Sequence, residues 1–370
     1  MSPRLKTALA FAGSLVLGAG LLYVALRGVD FSVVGKALRT AAYVWLVPLF
    51  IVSLVSHYLR AWRWRLLLDV LPDEPALSAS ETAKPRASTL QAFYATMVGY
   101  MINQAMPRLG EPARAANLAA VTRHRFSSVF GTVVVERLLD VAVLLVALAS
   151  VLALFWSQLG ALLNEFGGAA RSLLAGLQAR GDVVLLAYGF ALLVGLGGTW
   201  WWRARIRAGT GSKLQALLRG FAQGLRSLVR VRNKVGVVWS SAGIWLCYAI
   251  MTFIPLQMLG LAESYGLTLL DAWAMVALGA VGMALPSPGG TGSYHYAIIV
   301  TMTLLLGVAE TPAATYALLT HAVQLVFLVV VGLVCMLVQG ASLSPPRAIE
   351  ASSEPVGETP SARSALAEQE

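Results

Sequence analysis

Charged residues are scarce in this chain, and their scarcity excludes most soluble folds. They make up 12% of its 370 residues, whereas hydrophobic residues make up 58%. An ordinary soluble domain contains roughly 25% charged residues. A soluble protein of this length could not enclose so much apolar surface, so much of that surface must face lipid.

The sequence also has few cysteines and no nucleotide-binding loop. Cys247 and Cys335 both lie in apolar runs, so they predict neither a disulfide framework nor a metal site. The P-loop motif G-x-x-x-x-G-K-[S/T] does not occur in it. We therefore expect no cofactor. The net charge of +10 does not indicate nucleic acid, because the basic residues cluster between apolar runs, as they do at membrane surfaces.

Long uncharged runs predict an all-α polytopic membrane protein. A bilayer core of about 30 Å needs about 20 helical residues to cross it. Runs of suitable length cover residues 7–26, 41–59, 87–107, 141–164, 183–202, 235–262, 272–309 and 311–346. The first run could also be a signal peptide, but no A-x-A-like cleavage site precedes Arg27, which favours a retained span.

Two of these runs are interrupted and predict re-entrant hairpins. The run 272–309 would be about 57 Å long as one helix, too long for one crossing and too short for two with a turn. Its middle, residues 286–292, reads Pro-Ser-Pro-Gly-Gly-Thr-Gly, which breaks a helix. The stretch 87–120 is broken by Pro107, Gly110 and Pro112. The alternative is an eight-span protein with kinked helices.

Basic residues in the connections predict the orientation. The connection 203–234 has nine basic residues and no acidic one, which indicates the cytoplasm. Its part 213–230 has helical apolar spacing and suits an anionic leaflet, or is simply a topology signal. Arg60, Arg63 and Arg65 are interpreted as another cytoplasmic edge.

Together these patterns predict the domain organisation. We expect a transmembrane domain over 1–340 with about six full spans plus two hairpins, both termini cytoplasmic, and a disordered cytoplasmic tail over 341–370. The order span, hairpin, span occurs at 41–156 and again at 236–340 in opposite orientation. Such inverted repeats with broken helices are typical of transporters.

Charged residues at the first break predict an anion site. Arg108, Glu111 and Arg114 have i, i+3, i+6 spacing and would share one helix face, close to Asn103. Two guanidinium groups around one carboxylate leave N–H forks free, and such forks bind phosphate oxygens in pairs. The alternative is a cluster at headgroup level that only sets the depth of the helix.

The following helix contains Glu136, Arg137 and Asp140. Charges inside a membrane cost at least about 2.5–3.5 kcal/mol each on insertion scales, so they face partners or a cavity. Arg137 and Asp140 would form a closed pair that holds the bundle together. Alternatively, Arg137 joins Arg108 and Arg114 around a lipid headgroup, and the carboxylates balance charge or carry protons.

The second break is rich in glycine. Gly289, Gly290 and Gly292 would leave backbone N–H groups uncovered, and the half-helix that follows points its positive end at the same place. Both features favour an anion. His295, just past the turn, would donate to phosphate or titrate near neutrality, or else be a hydrogen-bonded packing residue.

Taken jointly, the two breaks and the charges of the helix after the first resemble the flippase-like family. This is the transmembrane region found in lysylphosphatidylglycerol synthases and in stand-alone membrane proteins. The resemblance covers roughly residues 5–340 and implies a bacterial or archaeal inner-membrane protein that moves a lipid or lipid-linked headgroup between leaflets. Many members have Glu where this chain has His295, and the soluble synthase domain is not present in this sequence.

We therefore expect a flippase-like protein for an anionic phospholipid or a polyprenyl-phosphate carrier, more transporter than enzyme. The expected partners are membrane lipids, a second copy or a partner enzyme, and no nucleic acid. A membrane enzyme that transfers a group to or from a headgroup is the alternative, with Glu111, Glu136 or His295 as acid or base. A second alternative is an accessory subunit that has no activity of its own.

Overall fold

The computed structural model describes residues 3–71, 86–106, 109–122, 124–156, 226–227, 230–284 and 287–340. This part of the chain is helical and contains no strand. Its α-helices are α1 (Pro3–Leu26), α2 (Phe31–Thr40), α3 (Leu46–Leu68), α4 (Thr89–Ala105), α5 (Gly110–Val121), α6 (Phe126–Leu154), α7 (Lys234–Met258), α8 (Leu261–Tyr265), α9 (Leu269–Met283), α10 (Ser293–Val300) and α11 (Glu310–Gln339).

Four helices are long and apolar enough to cross a bilayer: α3 with the turn before it, α6, α7 and α11. A fifth candidate is α1, which bends by 87° into α2 at a short break. These helices confirm the predicted all-α polytopic membrane fold. The predicted span 183–202, most of the basic connection 203–234 and the tail 341–370 lie outside the described residues, so the count of six spans stays a prediction.

Two helices extend beyond the uncharged runs from which they were predicted. The run 41–59 ends before Arg60, but α3 continues to Leu68. The helix predicted to contain Glu136, Arg137 and Asp140 is α6, which begins at Phe126 and continues into the run 141–164. Both helices extend past their uncharged runs because the charged residues of α3 and α6 face one another instead of water.

Both predicted hairpins are present as pairs of packed helices. In the first, α4 packs against α5 across the break after Met106. A Cβ atom at Gly110 would lie 2.1 Å from the carbonyl oxygen of Gly99, so only glycine permits this approach. In the second, α9 packs against α10, which continues into a π-helix at Thr301–Leu305.

The turns of the two hairpins meet each other. The 3-10 turn Pro288–Gly290 contacts the end of α4. A Cβ atom at Gly289 would lie 2.7 Å from the side-chain oxygen of Gln104, and the positive φ of +58° at Gly289 also favours glycine. The glycine turn therefore lies directly beside Gln104, the residue after Asn103.

The helices from the two ends of the chain are interleaved. The helix α3 packs against α7, α4 against α11, and α6 against α9. At the α4–α11 contact, a Cβ atom at Gly332 would lie 2.6 Å from Cβ of Met101. The charged residues of α3, α5 and α6 are thus held inside a closely packed bundle.

Candidate functional site: a buried arginine–carboxylate cluster

The centre of the site is a set of ion pairs between α3 and α6. Arg60 Nη1 lies 2.7 Å from Glu136 Oε1 and 2.7 Å from Asp140 Oδ2. Arg63 Nη2 lies 2.6 Å from Asp140 Oδ1 and 3.5 Å from Glu136 Oε1. The pairs form because Arg60 and Arg63 are three residues apart on α3, and Glu136 and Asp140 are four apart on α6, so each pair shares one helix face.

Side chains of α7 satisfy the outer N–H groups of the same two arginines. Arg60 Nη2 donates to the Tyr248 hydroxyl at 2.7 Å, and Arg63 Nη1 donates to the Ser241 hydroxyl at 3.0 Å. The side chains of Arg60, Arg63 and Glu136 are at most 4% exposed. The Nη groups of these two arginines are therefore engaged, while each Nε has no partner, and the bonds link α3 to α6 and α7.

Arg114 is held differently from Arg60 and Arg63. It reaches the cluster from α5, its Nη2 lies 3.0 Å from Glu136 Oε2, and its guanidinium lies 4.7 Å from the centre of the Trp64 ring. Its side chain is only 2% exposed. Nevertheless none of its three guanidinium nitrogens makes a hydrogen bond, because the contact with Glu136 is close but poorly directed.

Arg137 and Glu111 form the more exposed edge of the site. Arg137 Nη2 donates to Glu111 Oε1 at 2.9 Å, and the amide of Asn103 donates to Glu111 Oε2 at 3.4 Å. The Asn103 side-chain oxygen accepts from the Gly110 N–H at 2.7 Å, which ties the two helices of the hairpin together. Arg137 is 40% exposed and Glu111 25%, so the cluster opens outward along this pair.

The described charges of the cluster do not cancel. It contains four arginines and three carboxylates, which leaves one positive charge in excess. The arginines are Arg60, Arg63, Arg114 and Arg137, and the carboxylates are Glu111, Glu136 and Asp140. An excess cation in a buried site is costly unless an anion joins it. The cluster therefore has the charge and the free donors to accept one.

Most of the residues predicted at the first break and in the following helix come together here. They are Asn103, Glu111, Arg114, Glu136, Arg137 and Asp140. Arg137 lies 3.8 Å from Asp140 but 2.9 Å from Glu111, so its closer partner is Glu111 and the predicted closed pair with Asp140 is not the main contact. Arg108 lies outside the described residues.

Arg60 and Arg63 were missed as site residues. They were interpreted only as part of a cytoplasmic edge, which stays a prediction, but their side chains are 3% and 0% exposed and face carboxylates; Arg65 of the same group is exposed. Their i, i+3 spacing, opposite two carboxylates with i, i+4 spacing on α6, was a usable signal. It was obscured because the uncharged run ended at Leu59.

The glycine turn and His295 belong to a neighbouring cluster. The Gly290 N–H donates to the Ser287 carbonyl at 3.1 Å, and the Gly292 N–H donates to His295 Nδ1 at 3.3 Å. The expectation of uncovered N–H groups is therefore wrong at Gly290 and Gly292. The His295 ring lies 4.7 Å from the His321 ring, and contact of this turn with an anion stays a prediction.

The fold and the cluster define a multi-pass α-helical membrane protein with a network of ion pairs inside its helical bundle. The family model described as "Lysylphosphatidylglycerol synthase TM region" matches residues 11–332, so the chain belongs to that family. A search of curated proteins finds no match, and neither does a search of solved structures.

Proposed function

We propose that this protein binds the phosphate of an anionic lipid at the arginine–carboxylate cluster and moves that lipid between leaflets. The substrate class is an anionic phospholipid or a polyprenyl phosphate. Membership of a family named for a lipid synthase supports a lipid-related role. The observation that carries the proposal is the buried Arg114 guanidinium, whose three nitrogens make no hydrogen bond although Nη2 lies 3.0 Å from Glu136 Oε2.

The geometry supports Arg114 as the principal phosphate ligand. A buried donor without an acceptor costs about 1–3 kcal/mol, and more when it is charged. Two phosphate oxygens would accept from the guanidinium fork in the paired arrangement that arginine favours. They would also neutralise the excess positive charge of the cluster. Arg60 and Arg63 position Glu136 and Asp140 and are not proposed as ligands.

Arg137 and Glu111 provide the route to Arg114. They are the most exposed members of the cluster, and their ion pair is in part open to the surroundings. A phosphate that approaches from this side would meet Arg137 first and Arg114 next. A role for Arg108, which lies outside the described residues, stays a prediction.

Alternate opening of the two hairpins would give the bound lipid access first to one leaflet and then to the other. Irregular backbone at membrane depth is tolerated where protein or a water-filled cavity satisfies it, and the two breaks contact each other at Gln104 and Gly289. In an inverted repeat, one hairpin would open to the cytoplasm and the other to the opposite side. We propose a location in a cell membrane with both termini cytoplasmic.

Leaflet exchange in proteoliposomes tests the proposal. A labelled phosphatidylglycerol and a labelled polyprenyl phosphate are followed separately with the parent chain, Arg114→Gln, and the exposed control Arg65→Gln, which removes the same charge. We expect the parent and Arg65→Gln to exchange one of the two lipids, and Arg114→Gln to lose about 10-fold or more in rate, as expected for a charged hydrogen bond worth about 1.5–3 kcal/mol. Equal exchange by the parent and Arg114→Gln, or no exchange of either lipid by the parent, would overturn it.

A further inference from the structure

The helix α2 lies across one end of the bundle. It makes an angle of 87° with α1; if α1 crosses the bilayer, α2 therefore runs nearly parallel to the membrane plane. Val34 and Leu38 pack into the core on its inner face. The Asp30 N–H, just before α2, lies 3.5 Å from the Thr311 hydroxyl, which joins α2 to the first turn of α11.

The opposite face of α2 carries a short basic groove. Lys36 lies four residues after Ser32 and Arg39 lies seven residues after it, so the three side chains share one face of α2. A groove of about 360 Å³ lies along this face. It is lined by Phe31, Ser32, Gly35, Lys36 and Arg39. The space above Gly35 is open, since a Cβ atom there would have nothing within 4 Å.

Among the described residues, the two cations of this groove have no counterion within the chain. Lys36 and Arg39 are exposed and, among the described residues, neither forms an ion pair. The nearby carboxylate of Asp30 caps α2 by accepting from the backbone N–H groups of Ser32 and Val33. The hydroxyl of Ser32 also donates to it and keeps the pKa of Asp30 below its ordinary value. The groove is therefore suited to an external anion.

Two exposed aromatic residues set the depth of this end of the bundle. Tyr43 and Trp45 follow α2 directly and are 47% and 37% exposed. The Tyr43 hydroxyl donates to the Leu38 carbonyl at 2.5 Å, which fixes the ring against the end of α2. Exposed tyrosine and tryptophan are typical of the headgroup level of a bilayer, which would put the groove at the level of the lipid phosphates.

We propose that the α2 groove is a docking surface for the phosphate of an anionic phospholipid in the adjacent leaflet. Lys36 and Arg39 would neutralise the phosphate, and the open space above Gly35 would admit it. This site lies on a different face from the Arg114 cluster and does not depend on lipid transport.

Phosphatidylglycerol titrated into the purified full chain, with bound lipid counted by native mass spectrometry, tests this site. Three variants are compared with the parent: Lys36→Gln/Arg39→Gln, Gly35→Leu, and Lys234→Gln. Lys234 is an exposed cation at the start of α7, whose far end contacts the link after α2, so it controls for charge at the other end of the bundle. Arg114 is intact in all of them.

We expect one phosphatidylglycerol to bind about 5–30-fold more weakly to Lys36→Gln/Arg39→Gln, because each exposed ion pair with the phosphate contributes about 0.5–1 kcal/mol. Gly35→Leu fills the groove without a clash and should lose the same lipid, whereas Lys234→Gln should retain it. Undiminished binding to either groove variant would overturn the proposal. So would displacement of the lipid by excess inorganic phosphate, because the groove would then be a site for free phosphate.

Discussion

Glu136 receives guanidinium groups from two other helices. Arg60 and Arg63 reach its Oε1 from α3, and Arg114 reaches its Oε2 from α5. A charged residue buried at such depth persists only when it is paired. The difference between these arginines lies in their remaining donors, since Arg60 and Arg63 also bond to α7 and Arg114 does not.

That difference predicts that replacing Arg60 by Gln lowers the free energy of unfolding far more than replacing Arg114 by Gln does. Arg60→Gln removes the contacts of Arg60 with Glu136, Asp140 and Tyr248, and we expect it to lower the free energy of unfolding by about 3–5 kcal/mol, as when one partner of a buried pair is removed. Arg114→Gln leaves three described arginines with three carboxylates. We expect its free energy of unfolding to stay within about 1 kcal/mol of the parent, since a balanced cluster offsets the lost contact.

Equilibrium unfolding in mixed micelles measures both variants, with the exposed Arg65→Gln as reference. Arg65 and Asp69 are a surface pair with 3.6 Å between Nε and Oδ2, and such pairs contribute about 0–1 kcal/mol. A loss for Arg114→Gln as large as that for Arg60→Gln would show that Arg114 has a structural role.

The residue scale was also the least predictable from sequence. Asn103, Glu111 and Arg114 could be grouped because one broken helix contains them, and Glu136 because its charge interrupts an apolar helix. The link from these to Arg60 and Arg63 depends on the packing of α3 against α6, and local spacing does not specify which distant helices become neighbours.

The first hairpin is an element whose closure depends on two glycines. Gly99 on α4 and Gly110 on α5 approach so closely that a Cβ atom on either one would meet the backbone of the other helix. This contact brings Glu111 and Arg114, in the first two turns of α5, toward α6.

Gly110→Ala should therefore separate α4 from α5. We expect the free energy of unfolding to fall by about 1–3 kcal/mol, as for overpacked sites, and lipid binding at Arg114 to fall with it. Gly35→Ala is the matched control: it lies on an exposed helix face with open space around it, and should raise stability by about 0.5–1 kcal/mol. If Gly110→Ala were as stable as the parent, the hairpin would not need the close contact.

The presence of the helices and of the two breaks could be predicted from the sequence, whereas the end of α3 could not. Proline and glycine at 107–112 and 286–292 predicted both breaks correctly because these residues disrupt helices locally. The continuation of α3 past Leu59 was not predicted, because a charged residue ends a lipid-facing run but continues a helix whose carboxylate partners lie inside the bundle.

At the scale of the whole molecule, the helix contacts follow a repeated pattern. In the order span, hairpin, span, α3, α4, α5 and α6 correspond to α7, α9, α10 and α11. The helix α4 packs against α11 and its counterpart α9 packs against α6, while α3 packs against its own counterpart α7. Such reciprocal pairing is what an axis relating two halves produces, and the opposite orientation of the halves stays a prediction.

Opposite orientation of the halves predicts opposite accessibility of the two hairpins. Ser88 precedes the first hairpin and Ser264 the second, and both are exposed. We expect Ser88→Cys to react with an impermeant thiol reagent only from the cytoplasmic side and Ser264→Cys only from the other side. Cys247 and Cys335 are buried, so the parent provides the background. Reaction of both from one side would exclude the inverted repeat.

The proposed function requires an anionic lipid to complete the bonding of the Arg114 guanidinium. The most direct test is mass spectrometry of the lipid that copurifies with the parent chain, with Arg114→Gln and with the surface control Arg65→Gln. We predict that the parent and Arg65→Gln retain a phosphate-bearing lipid that folded Arg114→Gln lacks. The same phosphate-bearing lipid, in the same amount, on folded Arg114→Gln would contradict the account.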